Sequence, residues 1–481
     1  MQFNSFEFIL LFMPLIVFIY FIVNEFSYKI GKITIVVGSV IFYAYSDWKV
    51  LKVLCISLVI NYIFSLIIWK KEKNKIYVPL IITINVVILL YYKYLNFGIT
   101  NFNAIFDKNI PLKELLMPIG ISFFTFQQIA YVVSIYKKEI DKPDIIDYMA
   151  FILYFPKILM GPLTDPVDFI EQLNDKELKK VNWDNIARGI KIFSFGLFKK
   201  VMIADVFAVA VNWTFTYTGI TTSYDWLLTM LFYTFEIYFD FSGYSDMAVG
   251  TSLMLNITLP INFDSPYKAL SIRDFWKRWH ISLTKFFTKY IYIPLGGNRK
   301  GKILTYINIM LIFFISGVWH GANWTFILWG VIHGLFMVFD RVLEKSMSKL
   351  FEPLRWILTF FVINLLWLLF RCDSIEQWIS IIKTIFCAQD LNVSWGLFNS
   401  FCLPEMEFLK NVLHLEKWTE TIRGFWMYIY ILVAYGLCLI PENNYKNINR
   451  LTPISVVLAF IAFVWGFICL SGESVFLYFN F

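Results

Sequence analysis

Charge is scarce in this chain. Only 16% of its 481 residues are Asp, Glu, Lys or Arg, against about a quarter in ordinary soluble domains. With 58% hydrophobic residues and a mean hydropathy of +0.63, that scarcity excludes the string of soluble domains that the length alone would allow. Histidine is rarer still. His280, His320, His333 and His414 are the only four, so the search for a general base is short. The six cysteines, Cys55, Cys372, Cys387, Cys402, Cys438 and Cys469, lie far apart, with no Cys-x-x-Cys pair and no ligand-like histidine spacing. Neither a disulfide framework nor a metal site is indicated, and apolar packing is the expected role. A basic leader region is also missing. Met1-Gln2-Phe3-Asn4-Ser5 is uncharged and Glu7 precedes the first apolar run, so that run is expected to remain as a transmembrane helix. No soluble domain fits between the apolar segments and no internal repeat is visible, which suggests one integral-membrane domain over residues 1–481.

What the chain has is apolar length. Stretches near membrane-spanning size cover Phe6–Val23, Ile33–Tyr45, Val53–Trp69, Val78–Tyr92, Ile119–Tyr136 and Ile186–Val211. They resume over Leu227–Leu255, Leu304–Trp319, Trp324–Phe339, Trp356–Phe370, Phe425–Ile440 and Ile454–Leu470. The expectation is an all-α polytopic membrane protein with roughly eleven to thirteen membrane segments, some short enough to be re-entrant. The net charge of +7 sits in short loops, where the positive-inside rule accounts for it and nucleic acid need not be invoked. Lys70-Lys71-Glu72-Lys73-Asn74-Lys75 is the densest basic loop and is expected in the cytoplasm. Counting spans from it puts the N-terminus outside and the Arg371–Arg423 stretch outside, in a cell membrane. Phe155-Pro156-Lys157-Ile158-Leu159-Met160-Gly161-Pro162 carries two prolines, a glycine and a lysine in an apolar setting. It is either broken backbone beside a cavity at membrane depth or a surface loop.

Three blocks carry possible chemistry. The first is Ser316-Gly317-Val318-Trp319-His320-Gly321-Ala322-Asn323-Trp324, which sets a histidine at the junction of two apolar segments. Imidazole at that depth is costly to place and suits proton abstraction from an alcohol. His320 is therefore a general base or a buried hydrogen-bonding histidine. The second block, Ser271 to Tyr290, reads as one amphipathic helix. Ile272, Phe275, Trp276, Trp279, Leu283, Phe286, Phe287 and Tyr290 share one arc; Arg273, Lys277, Arg278, Lys285 and Lys289 share the other, with His280 on the seam. Such a helix lies on a membrane interface, against lipid, or offers a docking surface for a phosphate-bearing donor. The third block places Glu236 and Asp240 on one helix face, with Asp246 beyond them. Intramembrane carboxylates need partners, and a structural polar network is the favoured role. His333 is expected to be structural, and His414 in the outer stretch is given no role.

These blocks together resemble the membrane-bound O-acyltransferase (MBOAT) family, and within it the alginate O-acetyltransferase branch. The matching residues are Tyr238 to Asp246, Asn262-Phe263-Asp264-Ser265-Pro266-Tyr267, Phe275-Trp276-Lys277-Arg278-Trp279-His280-Ile281-Ser282-Leu283, Tyr292-Ile293-Pro294-Leu295-Gly296-Gly297-Asn298-Arg299 and Trp319-His320-Gly321. Met117-Pro118-Ile119-Gly120-Ile121-Ser122-Phe123 and the Phe155–Pro162 segment fit as well, so the motif-bearing core spans about 117–334. The resemblance implies a helical ring around a thin centre, entered by a funnel from one face and a tunnel from the other. It implies that His320 is the essential residue and His280 the second polar landmark of the reaction path. Lys277 or Arg278 would hold a donor's phosphates, and Glu236, Asp240 and Asp246 would give polar support. The donor would be a cytoplasmic acyl thioester such as acetyl coenzyme A, with no tightly bound cofactor. The partners implied are a secreted or membrane-anchored acetyltransferase and a polysaccharide synthase. D-alanyl transfer to teichoic acid is the alternative within the family, disfavoured by the Pro-Leu-Gly-Gly-Asn-Arg extension. A transporter or flippase is the alternative outside it, disfavoured by the absent repeat.

Overall fold

Backbone at membrane depth must satisfy its own hydrogen bonds, so apolar length folds as helix. The computed structural model describes residues 1–46, 48–71, 75–387, 390–401, 412, 419–441, 443, 445–470 and 476–477, and they contain no strand. His414, Cys402 and the centre of the Lys70–Lys75 loop lie outside the described residues. Helices α1 (Glu7–Phe26), α2 (Tyr28–Ser46), α3 (Leu51–Lys70) and α4 (Tyr77–Phe106) alternate in direction. They are followed by α5 (Ile121–Tyr136), α6 (Ile145–Leu153), α7 (Pro166–Asn174) and α8 (Trp183–Phe198). A π-turn over Lys199–Ala204 carries α8 into α9 (Asp205–Thr216), and α10 (Ser223–Met254) returns beside them. Two short helices, α11 (Ile272–Arg278) and α12 (Ile281–Phe287), precede the hairpin of α13 (Lys302–His320) and α14 (Trp324–Val342). The one-turn α15 (Glu344–Met347) leads to α16 (Glu352–Arg371), α17 (Ile375–Cys387) and α18 (Trp395–Asn399). The last helices are α19 (Thr419–Leu439) and α20 (Pro453–Ile468). Six of these helices are long and apolar enough to cross a membrane, and α5, α19 and α20 are shorter apolar helices.

Contacts identify the two ends of the bundle. At one end Lys32 bonds Asp147 at 2.6 Å, Lys142 lies over Trp69, Lys179 donates to Tyr20, and Arg273 pairs with Glu344. This is the basic end. Arg273 donates to the Glu344 carboxylate, which holds that group below the ordinary carboxylate range. At the opposite end Trp324 meets Asn101, Asn323 meets the Asp373 carbonyl, Arg371 meets Asn212, and Thr222 meets the Asn392 carbonyl.

Two chain segments turn back within the bundle. α6 and α7 enter and leave at the basic end, where Asn174 donates to Asp147 at 2.9 Å. The tip between them, Tyr154 to Pro162, is entirely buried, which excludes the surface loop and supports the re-entrant reading. From the opposite end, residues 107–120 descend as coil to Gly120 at φ +74°. A Cβ there would lie 2.6 Å from the Ile158 carbonyl oxygen, so only glycine lets the two segments meet.

One expected element is broken. The single amphipathic helix over 271–290 divides at Trp279-His280, with His280 left-handed at φ 44°. The reason is backbone pairing: Asp264 N–H donates to the Arg278 carbonyl and Ile281 N–H to the Asn262 carbonyl, both at 2.9 Å. His280 is consequently 1% exposed, not at a water-facing seam.

Candidate active site

His320 is the last residue of α13 and is 5% exposed. Two glycines set its position. A Cβ on Gly317 would lie 2.4 Å from the Phe326 carbonyl oxygen, and one on Gly330 2.3 Å from that of Phe313. α13 and α14 therefore approach backbone to backbone just below the histidine. Lys93, partway along α4, donates to the carbonyls of Trp319 at 2.5 Å and His320 at 2.9 Å. These are orphan acceptors at a helix C-terminus, where a cation is favoured. The imidazole is ringed by Trp319, Trp329 and Phe370, with centroids 4.7, 5.1 and 5.1 Å away. Trp319 also meets His280 at 6.2 Å, so one indole touches both histidines.

Three spaces surround this centre. A small cavity of about 80 Å³ is bordered by His320, Trp319, Lys93, Gly120 and the tip residues Leu159 and Met160. A cleft of about 570 Å³ opens at the basic end between the re-entrant hairpin and α12, lined by Thr164, Asp165, Phe169, Lys285 and Lys289. Its inner wall is tied by Leu163 N–H to Ser282 at 3.0 Å and by Ser282 to Asn262 at 2.5 Å. Lys289 is held by Asp165 at 2.5 Å, whereas Lys285 is exposed with no acidic partner among the described residues. A polar cavity of about 390 Å³ at the opposite end is lined by Lys200, Asp205, Glu236, Asp240, Arg371 and Phe370. Phe370 therefore walls this cavity and packs against His320 as well. A histidine that borders the small cavity, with one side chain between it and the charged cavity, has the chemistry to take a proton from a hydroxyl.

The sequence profile of the membrane-bound O-acyltransferase family matches residues 40–375. This chain belongs to that family. It is an O-acyltransferase and a multi-pass membrane protein. It is 36% identical to a peptidoglycan O-acetyltransferase of Helicobacter pylori, covering all of this chain and 97% of that protein. It is also 36% identical to the "Probable alginate O-acetylase AlgI" of Azotobacter vinelandii, over 78% of this chain and 76% of the other. A teichoic acid D-alanyltransferase of Streptococcus thermophilus is more distant, 26% identical over 49% of this chain and 59% of its own.

Within this acyltransferase the expected site residues fall into separate groups. His320 and His280 come together around Trp319. Lys277 and Arg278 stay apart from them: Lys277 is exposed, and Arg278 bonds Asp274 at 2.9 Å and the Asp264 carbonyl. Asp240 accepts from Lys200 at 2.6 Å and Asp246 from Lys199 at 2.7 Å. Glu236 faces the polar cavity, and its buried Oε2 has no hydrogen-bond partner among the described residues. His333 accepts from the Trp276 indole at 3.2 Å, a structural bond. The reading of the sequence missed Lys93, Lys199, Lys200 and Arg371. The signal was there: Lys199-Lys200 interrupts the apolar run Ile186–Val211, and an ionisable residue at such a place marks a buried partner or a path.

Proposed function

We propose that this enzyme carries an acetyl group from acetyl coenzyme A in the cytoplasm across the plasma membrane for O-acetylation of a cell-surface glycan, with His320 as the general base. The observation behind the reading is the position of His320. It borders the inner cavity while its neighbour Phe370 walls the polar cavity at the far end. The basic end faces the cytoplasm by the positive-inside rule, so the N-terminus lies outside. The thioester is a co-substrate, not a resident cofactor. It docks at the cleft of Lys285 and Lys289, with Lys277 and Arg278 of the preceding helix adding positive charge for its phosphates.

The chemistry follows from that placement. The acceptor hydroxyl oxygen attacks the thioester carbonyl carbon as His320 takes its proton. The C–O bond forms, the C–S bond breaks, and the thiolate leaves towards the cytoplasm with the proton that His320 held. His280, across Trp319, lines the donor's path. Asp240 and Asp246 fix the lysines of the π-turn, and Glu236 offers a carboxylate to the acceptor. A cavity of about 390 Å³ suits one sugar unit or one side chain rather than a polymer strand. The acetyl group therefore passes first to a secreted or membrane-anchored acetyltransferase working beside the polymer's synthase. Peptidoglycan is the first acceptor to test, because the relative so named matches along the whole chain.

The test is the O-acetyl ester content of peptidoglycan and of secreted polysaccharide in cells carrying wild-type or His320→Ala protein at matched membrane levels. The expected result is loss of ester to the level of cells without the enzyme. Unchanged acetyl ester with lost D-alanine ester would replace this reading by D-alanyl transfer. If both esters persist, His320 is not the base.

A further inference from the structure

We infer that Lys93 supplies the positive charge that stabilises the oxyanion formed during acyl transfer. The inference rests on the acyl-transfer reading of His320. Lys93 ends the apolar stretch Val78–Tyr92, a position where a cation is retained only for a reason. Two of its three ammonium hydrogens are accounted for by the carbonyls of Trp319 and His320. The side chain also lines the small cavity that His320 borders, so the third hydrogen is available beside the base.

Charge balance points the same way. Lys199 and Lys200 each have an aspartate at 2.6–2.7 Å. Lys93 has no carboxylate at ion-pair distance among the described residues. Its counter-charge is the negative end of α13, equivalent to about half an elementary charge, together with the Trp319 ring 5.9 Å away. The residual positive charge borders a small cavity inside the protein, where charges interact more strongly than in bulk water. An anion formed there is stabilised without any rearrangement of the site. In the reaction, the hydroxyl oxygen bonds to the carbonyl carbon and the C=O π pair moves onto the carbonyl oxygen. That oxygen is the anion Lys93 faces. Collapse restores C=O and expels the thiolate, and Lys93 keeps all its protons throughout.

A merely structural role for Lys93 would be to cap α13, and two variants separate the two. Lys93→Gln keeps an N–H donor for the carbonyls and removes the charge, whereas Lys93→Arg keeps the charge. The experiment measures thiol release from acetyl coenzyme A by full-length enzyme in membranes that also hold its acceptor, with enzyme-free membranes as the blank and with thermal unfolding of each variant and His320→Ala alongside. The expected result for Lys93→Gln is a kcat about 100-fold lower, with KM and melting temperature close to wild type. Lys93→Arg should recover a substantial part of that kcat. The assignment is overturned if Gln works as well as Arg, if Arg restores nothing beyond Gln, or if the loss follows the unfolded fraction. If wild type releases no more thiol than His320→Ala, the acetyl-transfer reading itself falls and Lys93 falls with it.

Discussion

Lys200 and Asp240 are 2% and 3% exposed and 2.6 Å apart, with Asp205 on the lysine's other side at 2.8 Å. A buried charge stripped of every counter-ion costs about 3–5 kcal/mol, and Asp205 spares Lys200 part of that when Asp240 is neutralised. Asp240→Asn should therefore lower the melting temperature in detergent, by less than a full loss of counter-charge would. Lys200→Met with Asp240→Leu should recover most of it, because removing both charges leaves only Asp205, which is 27% exposed and can be hydrated. An Asp240→Asn protein that melts with wild type would mean the pair contributes nothing. This contact also marks what the sequence could and could not disclose. That Glu236 and Asp240 share a face is local, set by four residues of helix. The partner of Asp240, Lys200, lies 40 residues upstream, and nothing in the spacing of either segment relates the two. The same holds for Lys93, whose acceptors are 226 and 227 residues away.

The α13–α14 hairpin carries His320, and its geometry rests on the contact between Gly317 and Gly330. Gly330→Ala would place a methyl 2.3 Å from the Phe313 carbonyl oxygen, so α13 must move. A helix shifted by even ~1 Å would misplace His320, the proposed base, and a displacement of that size can reduce a rate about 100-fold. The expected outcome is a folded, membrane-inserted protein with little ester transfer, measured as thiol release per folded molecule. Full activity would show that α13 relaxes without disturbing its end. Helical periodicity was a sound guide for α13 and α14, whose cores are set by their own apolar pattern. It failed at α11–α12 because the decisive interaction there is external. Residues 262–264 bond the backbone on either side of His280, and a helical wheel contains no information about a passing chain segment. The re-entrant tip was legible in outline, since two prolines and a glycine forbid a straight helix. Its depth was not, because that depends on Gly120 from another segment.

Across the whole molecule, the proposed transfer requires that the two large spaces open to different compartments. The cleft of Lys285 and Lys289 lies with Lys32, Lys142 and Lys179 at the basic end, and the cavity of Glu236 and Arg371 lies with Asn323 and Asp373 at the other. Basic loops are retained on the cytoplasmic side during insertion, which fixes the orientation if the charge pattern governs it. Substituted-cysteine labelling tests this directly. In a background with Cys55, Cys387 and Cys402 changed to Ser, Asp373→Cys should react with a membrane-impermeant maleimide in intact cells. Lys142→Cys, exposed at the basic end, should react only after permeabilisation. The reverse pattern would put the basic cleft outside, and a cytoplasmic thioester could then not reach Lys285 and Lys289. Labelling of both sites in intact cells would mean that the protein inserts in two orientations. In that case ester transfer should scale with the correctly oriented fraction, because a cytoplasmic thioester reaches the cleft only when the basic end faces inward.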